Sequence, residues 1–251
     1  MPAWLRAYGE LNEFLAPAAR FATRGHEVAR GQTVKDFIEG RGIPHTEVDL
    51  VLVNGESVPF GHHLDDGDRV AVYPVFEAFD IAPVTRVRPE PLRDTRFVLD
   101  VHLGRLARHL RIAGFDALYD READDRRLAE LSLAERRVLL TRDRALLKRS
   151  AVTHGYYVRS SVPARQLAEV IRRFDLRRVV RPFSRCALCN GLLETAELRD
   201  VEAEVPEGSR RHGASFVRCA SCRRVYWRGS HVGRLEALLA AALDAIPGAD
   251  A

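Results

Sequence analysis

Residues 97–120, FVLDVHLGRLARHLRIAGFDALYD, decide the fold. Phe97, Val98 and Leu99 have a strand's composition and stop at Asp100. Leu103, Leu106, Ala107 and Leu110 then recur at helical spacing, with Arg105, Arg108 and His109 on another side. Gly114 ends that helix, because the position past a helix end often needs the left-handed conformation that glycine adopts freely. Residues 115–120 form a second strand. Downstream the pattern repeats. Asp124 and Asp125 open a helix with Leu128 and Leu131 inward, and RVLLT (137–141) is a third strand. DRALLKRSA (143–151) is a helix, GYYVRS (155–160) a fourth strand, and PARQLAEVIRRFDL (163–176) a last helix. Strands alternating with helices predict an α/β domain, its parallel sheet covered on both faces.

The segment before it is also mixed α/β. PAWLRAYGEL (2–11) reads as a strand, and HEVARG (26–31) as its partner. QTVKDFIEGRG (32–42) is a short helix that Thr33 can cap, with Val34, Phe37 and Ile38 on one face and Gly40 and Gly42 at its end. DLVLVNGESV (49–58) is a hairpin turning at Asn54-Gly55, and LDDGDRVAVYPVF (64–76) supplies a final strand. Two strands, a helix, a hairpin and a last strand predict a β-grasp. VNGE (53–56) and LDDGDRVAVYPV (64–75) resemble the ubiquitin-like sulfur carriers of thiamine and molybdopterin synthesis. Those carriers end in an activated Gly-Gly. This chain runs on as VFEAFDIAP (75–83), so a docking or stabilising module is expected instead of sulfur transfer.

Three prolines in APVTRVRPEPLRDT (82–95) mark a linker. The expected organisation is a β-grasp over 1–81, a linker over 82–94, an α/β domain over 95–181, a cysteine-paired segment over 182–235 and a helical tail over 236–251. A chain of 251 residues has room for two or three domains. No apolar run approaches the length of a membrane span, and the first residues lack a signal peptide's layout, so a cytoplasmic protein is expected. The net charge of +4 is uneven. Residues 1–94 hold 10 Lys/Arg against 15 Asp/Glu (−5), residues 95–185 hold 21 against 11 (+10), and residues 186–251 hold 8 against 9 (−1). A basic middle flanked by acidic segments points to an anionic partner for the middle, with nucleic acid favoured.

In parallel sheets, ligands bind at the carboxyl ends of the strands. Asp100 and Asp143 stand at two such ends, Asp120 closes the second strand, and Asp124 and Asp125 open the helix between. Two roles are open to an aspartate in this position: helix cap, or ligand to a hard cation such as Mg²⁺ or Mn²⁺. The repetition of the acids within a +10 segment favours the cation. Arg105, Arg108 and Arg142 are candidate phosphate contacts, unless the helical arginines form only a solvated face.

All four cysteines fall in two CxxC units, Cys186–Cys189 and Cys219–Cys222. Two such units suit tetrahedral Zn²⁺, whereas a redox pair or free thiols would not need the matched spacing. The 29 residues between them (190–218) can hold an inserted hairpin. A closed Cys₄ site would be structural. Trp227 and Tyr226 are read as the ribbon's small core, with base stacking the competing role.

From FVLDVHLGRLARHLRIAGFDALYD through LTRDRALLKR to RPFSRCALCNGLL and CASCRRVYWRGSH, the chain resembles the Mut-seven C-terminal RNase family: a PIN-like nuclease domain followed by a zinc ribbon, with a ubiquitin-like domain known in front. The resemblance implies a metal-dependent ribonuclease. By position Asp100, Asp125 and Asp143 match its acids, with Asp124 competing for the place of Asp125 and a turn the expected role of Asp116. RNA is the implied partner, together with a protein partner of the ubiquitin-like domain. The rival expectations are a non-catalytic RNA- or ribosome-binding module and an interaction protein recruiting a partner through its β-grasp.

Overall fold

A computed structural model describes residues 2–74, 76, 81–87, 95–210, 215–227 and 230–245. The expected linker over 82–94 and tail over 236–251 thus lie partly outside the described residues. In chain order the elements are β1 (Ala3–Ala7), β2 (Arg24–His26), α1 (Val34–Glu39), β3 (Val48–Val53), β4 (Glu56–Ser57) and β5 (Arg69–Pro74). Next come β6 (Phe97–Leu99), α2 (Gly104–Ile112), β7 (Ala117–Tyr119), α3 (Asp125–Ala134), β8 (Val138–Thr141), α4 (Arg144–Leu147), β9 (Gly155–Tyr157) and α5 (Pro163–Arg173). The last are β10 (Leu193–Ala196), α6 (Leu198–Val201), β11 (Phe216–Cys219), β12 (Val225–Trp227) and α7 (Ser230–Asp244). Two compact units emerge: residues 1–94 with 125–157, and residues 95–124 with 158–251.

The first unit contains the β-grasp. Its sheet has the order β2-β1-β5-β3-β4, with β1 and β5 parallel at the centre. Thr33 Oγ1 accepts the Asp36 amide and starts α1, which buries Val34, Phe37 and Ile38 against the sheet's inner residues, Leu5, Val51, Val70 and Val72 among them. The hairpin turns at Asn54 (φ 52°) and Gly55 (φ 92°), both in the positive-φ region that a two-residue turn between twisted strands requires. The partner of β1 is Arg24–His26, not the expected 26–31, so only His26 is shared. The expected segment passes Gly31 at φ +76° and reaches the helix as loop.

The same unit carries β8 and β9 as a parallel pair. Here α3 buries Leu128, Ala129 and Ser132, while Leu131, expected inward, is half-buried. Ser132 points in because its hydroxyl donates to the Arg137 carbonyl at 2.8 Å. Helix α4 is a single turn, shorter than the expected nine-residue helix.

A buried polar clasp ties the β-grasp to β9 and α4. Glu47 is fully buried, and its carboxylate accepts the main-chain N–H of Tyr157. The His45 ring nitrogens lie 2.6 Å from Glu39 Oε1 and 2.9 Å from the Val152 carbonyl. Lys148 Nζ donates to the Glu39 carbonyl at 2.6 Å. Arg144 sits over Phe14 and Tyr157, 5.0 and 5.4 Å from their ring centroids, where cation–π attraction adds to the packing. Tyr157 itself packs on the β-grasp core.

The second unit has β6 and β7 as a parallel pair, with α2 packed on β7 and α5. Leu103, Leu106, Ala107 and Leu110 are buried, as their spacing predicts. Gly104 permits a close approach: a Cβ there would stand 2.8 Å from the Tyr119 ring, whose hydroxyl donates to the Val101 carbonyl at 3.0 Å. Gly114 ends α2 at φ +98°, and a Cβ would meet the Arg181 carbonyl at 2.3 Å. The cysteine segment forms an antiparallel sheet, β10-β11-β12, whose core holds Val201, Val205, Phe216 and Val225. The interval 190–218 carries β10 and most of β11 as an antiparallel pair, and among the described residues the stretch between these two strands is α6 and 3₁₀ turns. No described helix is long and apolar enough to cross a membrane.

Glu47→Ala removes the acceptor of the Tyr157 amide at a partly buried site. It is expected to lower stability by about 1–3 kcal/mol, the cost of a buried donor left unpaired. Urea unfolding checks this, and an unchanged midpoint would show that the clasp contributes little.

Candidate active site and metal centre

The predicted acids sit at the ends of secondary elements, in three different settings. Asp100 follows β6 and is buried, 5% exposed. It precedes a 3₁₀ turn, Val101–Leu103, but its side chain makes no cap hydrogen bond to it. Helix capping therefore does not explain Asp100. Asp143 follows β8 and is exposed. Its Oδ1 accepts the Ala145 amide at 2.7 Å and caps α4, while its own N–H donates to Thr141 Oγ1 at 2.9 Å. A cap engages one carboxylate oxygen and leaves a second for another partner. Asp125 is the first residue of α3 and pairs with Arg149 at 3.6 Å, both side chains about half exposed. A pair so exposed is worth little and yields readily to a stronger cation. Asp125 and Asp143 belong to the first unit and Asp100 to the second.

Asp124, the competitor of Asp125, is exposed directly before α3, and two further acids have partners within the fold. Asp120 Oδ1 accepts the Glu122 amide at 2.9 Å in a local turn. Asp116, expected in a turn, instead accepts Asn190 Nδ2 at 2.8 Å and faces Arg185 at 3.7 Å. Arg105 and Arg108 are exposed on α2, and Arg142 is half-buried.

The cysteines come together. The Sγ atoms of Cys186, Cys189, Cys219 and Cys222 all lie within 4.8 Å of one another. Two of the separations are 3.7 Å (Cys186–Cys222) and 3.4 Å (Cys189–Cys219). A sulfur tetrahedron around zinc has edges of about 3.8 Å at the usual bond length, so four thiolates here can hold the ion. Each CxxC loop turns its second cysteine's amide toward the first sulfur, at 3.5 Å in one unit and 3.4 Å in the other. Burial raises the Cys186 pKa, but the Tyr226 hydroxyl and the Cys189 and Leu188 amides outweigh it and bring it to about 6. Tyr226 is held protonated by its burial and by this bond, so it is the donor to the sulfur, at 3.0 Å.

The first CxxC unit is bound into the α/β fold by residues that the sequence pattern did not single out. Arg111 is buried. Its Nε donates to the Ala117 carbonyl at 2.8 Å and its Nη1 to the Leu188 carbonyl at 2.6 Å. Burial lowers its pKa, and the nearby Cys186 and Cys189 sulfurs oppose that shift. A guanidinium beside a tetrathiolate site offsets part of its negative charge. Asn190 Oδ1 accepts the Ala117 amide at 3.0 Å. The signal for Asn190 was its place directly after Cys189 and before Gly191, a residue whose Cβ would meet Cys219 Sγ at 2.9 Å.

With this geometry in view, a family model described as the Mut7-C RNAse domain matches residues 95–239, 145 of the 251 residues. A second, described as Mut7-C ubiquitin, matches residues 2–80. No curated protein matches the chain. Among solved structures, SAMP1 from Haloferax volcanii is similar at 20% identity over 32% of this chain and 100% of that one, with a TM-score of 0.26.

The purified chain is expected to bind one zinc ion, and Cys219→Ser to abolish binding, as read by native mass spectrometry. Because Arg111 and Asn190 join the first CxxC unit to β7, zinc removal should also loosen the α2–β7 region, seen as faster amide hydrogen exchange there. Protection unchanged at β7 would show that the cysteine loop is independent of the fold beneath it.

Proposed function

This chain belongs to the Mut7-C RNAse family, and from that membership we propose that it is a metal-dependent ribonuclease that hydrolyses RNA phosphodiester bonds. The observation that carries the reading is the family match over residues 95–239, within which Asp100 is a buried carboxylate at a strand end. A buried carboxylate is favoured where a cation shares its site.

Asp100, Asp125 and Asp143 are the proposed ligands. Their donor set is carboxylate oxygen throughout, which suits Mg²⁺ or Mn²⁺ better than a softer ion. When bound, such an ion activates water and offsets charge on the scissile phosphate. The chain's own residues do the positioning. The Asp143 carboxylate is held at the start of α4 by the Ala145 amide, and its main chain is held by Thr141, so its direction is set before any ligand arrives. Arg149 faces the Asp125 carboxylate at 3.6 Å in an exposed pair that a bound cation would replace at little cost. Arg105, Arg108 and Arg142 contact the phosphates that flank the cleaved bond, where a planar guanidinium fork fits the oxygens. The cysteine quartet holds structural zinc, being closed by four protein ligands with no open position. Cysteines gathered as a zinc quartet suit action in the cytoplasm, where thiols stay reduced. Its partners are RNA and, through the ubiquitin-like segment, a protein.

A non-catalytic RNA- or ribosome-binding module is the second reading. It is favoured by the roles that Asp125 and Asp143 already fill, an ion pair and a cap.

Labelled single-stranded RNA with Mn²⁺ separates the two. Wild type is expected to cleave, and Asp100→Asn and Asp143→Asn each to lose about 100-fold or more in rate, because the ion supplies several kcal/mol of charge stabilisation. Circular dichroism melts of the variants show whether the fold is kept. RNA bound but uncut by wild type, or cleavage unchanged in both variants, contradicts the ribonuclease reading.

A further inference from the structure

The second unit holds a cavity of about 410 Å³ between α2, the ribbon strands and α7. That volume falls within the roughly 300–1,000 Å³ of small-ligand sites. Aliphatic side chains of β10, β11 and α7 line it, with Phe183, Tyr226 and Trp227 as its aromatic members. Its charged members are Arg108, Arg185 and Arg224, and none of the described residues lining it carries a carboxylate. The arginines are not equivalent. Arg185 is engaged with Asp116 at 3.7 Å and with the Asn190 carbonyl at 2.9 Å. Arg108 and Arg224 are exposed. Tyr226 is committed to Cys186, whereas Trp227 is half-buried at the end of β12, one side packed on the ribbon core.

We propose that this groove binds an unpaired segment of RNA, with a base against Trp227 and neighbouring phosphates on Arg108 and Arg224. The proposal rests on the ribonuclease reading for its substrate and adds a base subsite beside Arg108, which that reading places on the phosphates flanking the cleaved bond. An apolar floor with an aromatic plane accepts any base, since every base has a π-face. Guanidiniums at the rim, unopposed by carboxylate, match a polyanion and disfavour uncharged apolar ligands. The groove would hold a base of the substrate strand next to the phosphates on Arg108, and it selects single strands because a base inside a duplex cannot reach Trp227.

The chain has two tryptophans, Trp4 and Trp227. Trp4 lies on β1, outside the groove, so Trp4→Phe leaves Trp227 as the reporter. In zinc-loaded Trp4→Phe protein without Mg²⁺ or Mn²⁺, a short oligouridylate is expected to quench emission saturably. Arg108→Ala and Arg224→Ala should each weaken binding and reduce the salt slope of the affinity by about 0.7, the value for one single-strand phosphate contact. Trp emission unmoved while anisotropy shows the oligouridylate bound, with unaltered salt slopes in both arginine variants, overturns the groove. So does an acidic peptide that quenches where oligouridylate does not, which would make this a protein-binding face. Cleavage by wild type and Asp143→Asn is scored in parallel: a groove that fails while Asp143-dependent cleavage persists leaves the ribonuclease reading intact, and loss of both removes both.

Discussion

Short parallel strands leave main-chain donors that something else must satisfy, and each unit solves this with a side chain from a flanking module. Strands of three or four residues form few ladder bonds of their own. An unpaired amide in a buried setting costs as much as a lost hydrogen bond. In the first unit the Tyr157 amide goes to Glu47 of the β-grasp. In the second the Ala117 amide goes to Asn190, next to the first CxxC unit. The appended segments are therefore part of how the parallel strands are held.

The arrangement has consequences for the site. Asp143 is followed at once by Arg144, which packs on Phe14 and Tyr157, and Lys148 at the other end of α4 is held by Glu39. The turn that carries the exposed acid is thereby anchored to a β-grasp core. On the other unit Arg111 reaches from α2 to β7 and to the Leu188 carbonyl, so helix, strand and metal loop share one buried cation. Removing this side chain leaves the Ala117 and Leu188 carbonyls without their donor, and an unsatisfied buried acceptor is costly.

Much of the fold was legible because periodicity reports burial. The α2 face of Leu103, Leu106, Ala107 and Leu110, the Thr33 cap and the Asn54-Gly55 turn arise from local spacing and turn chemistry. The misplaced β2, the inward Ser132 and the shortened α4 depend on partners distant in sequence or on one side-chain bond, which local pattern does not report. The site was legible in its residue types. Cysteine spacing led to the quartet that the structure brings together. Asp100 and Asp143 looked alike in sequence, yet one is buried without capping and the other caps α4. Arg111 was invisible as a structural residue because arginines on α2 all read as surface; its neighbours Leu110 and Ile112 were the available hint. Glu47 likewise reads as an exposed acid until β9 is placed beside it.

Crystals grown with Mn²⁺ and measured at the manganese and zinc absorption edges give the most direct test of the central claim, that Asp100, Asp125 and Asp143 share a hard cation apart from a thiolate-bound zinc. The account predicts a manganese peak bound by these carboxylates and a zinc peak among Cys186, Cys189, Cys219 and Cys222. Manganese absent from the aspartates, or the three carboxylates directed to separate places, would contradict it.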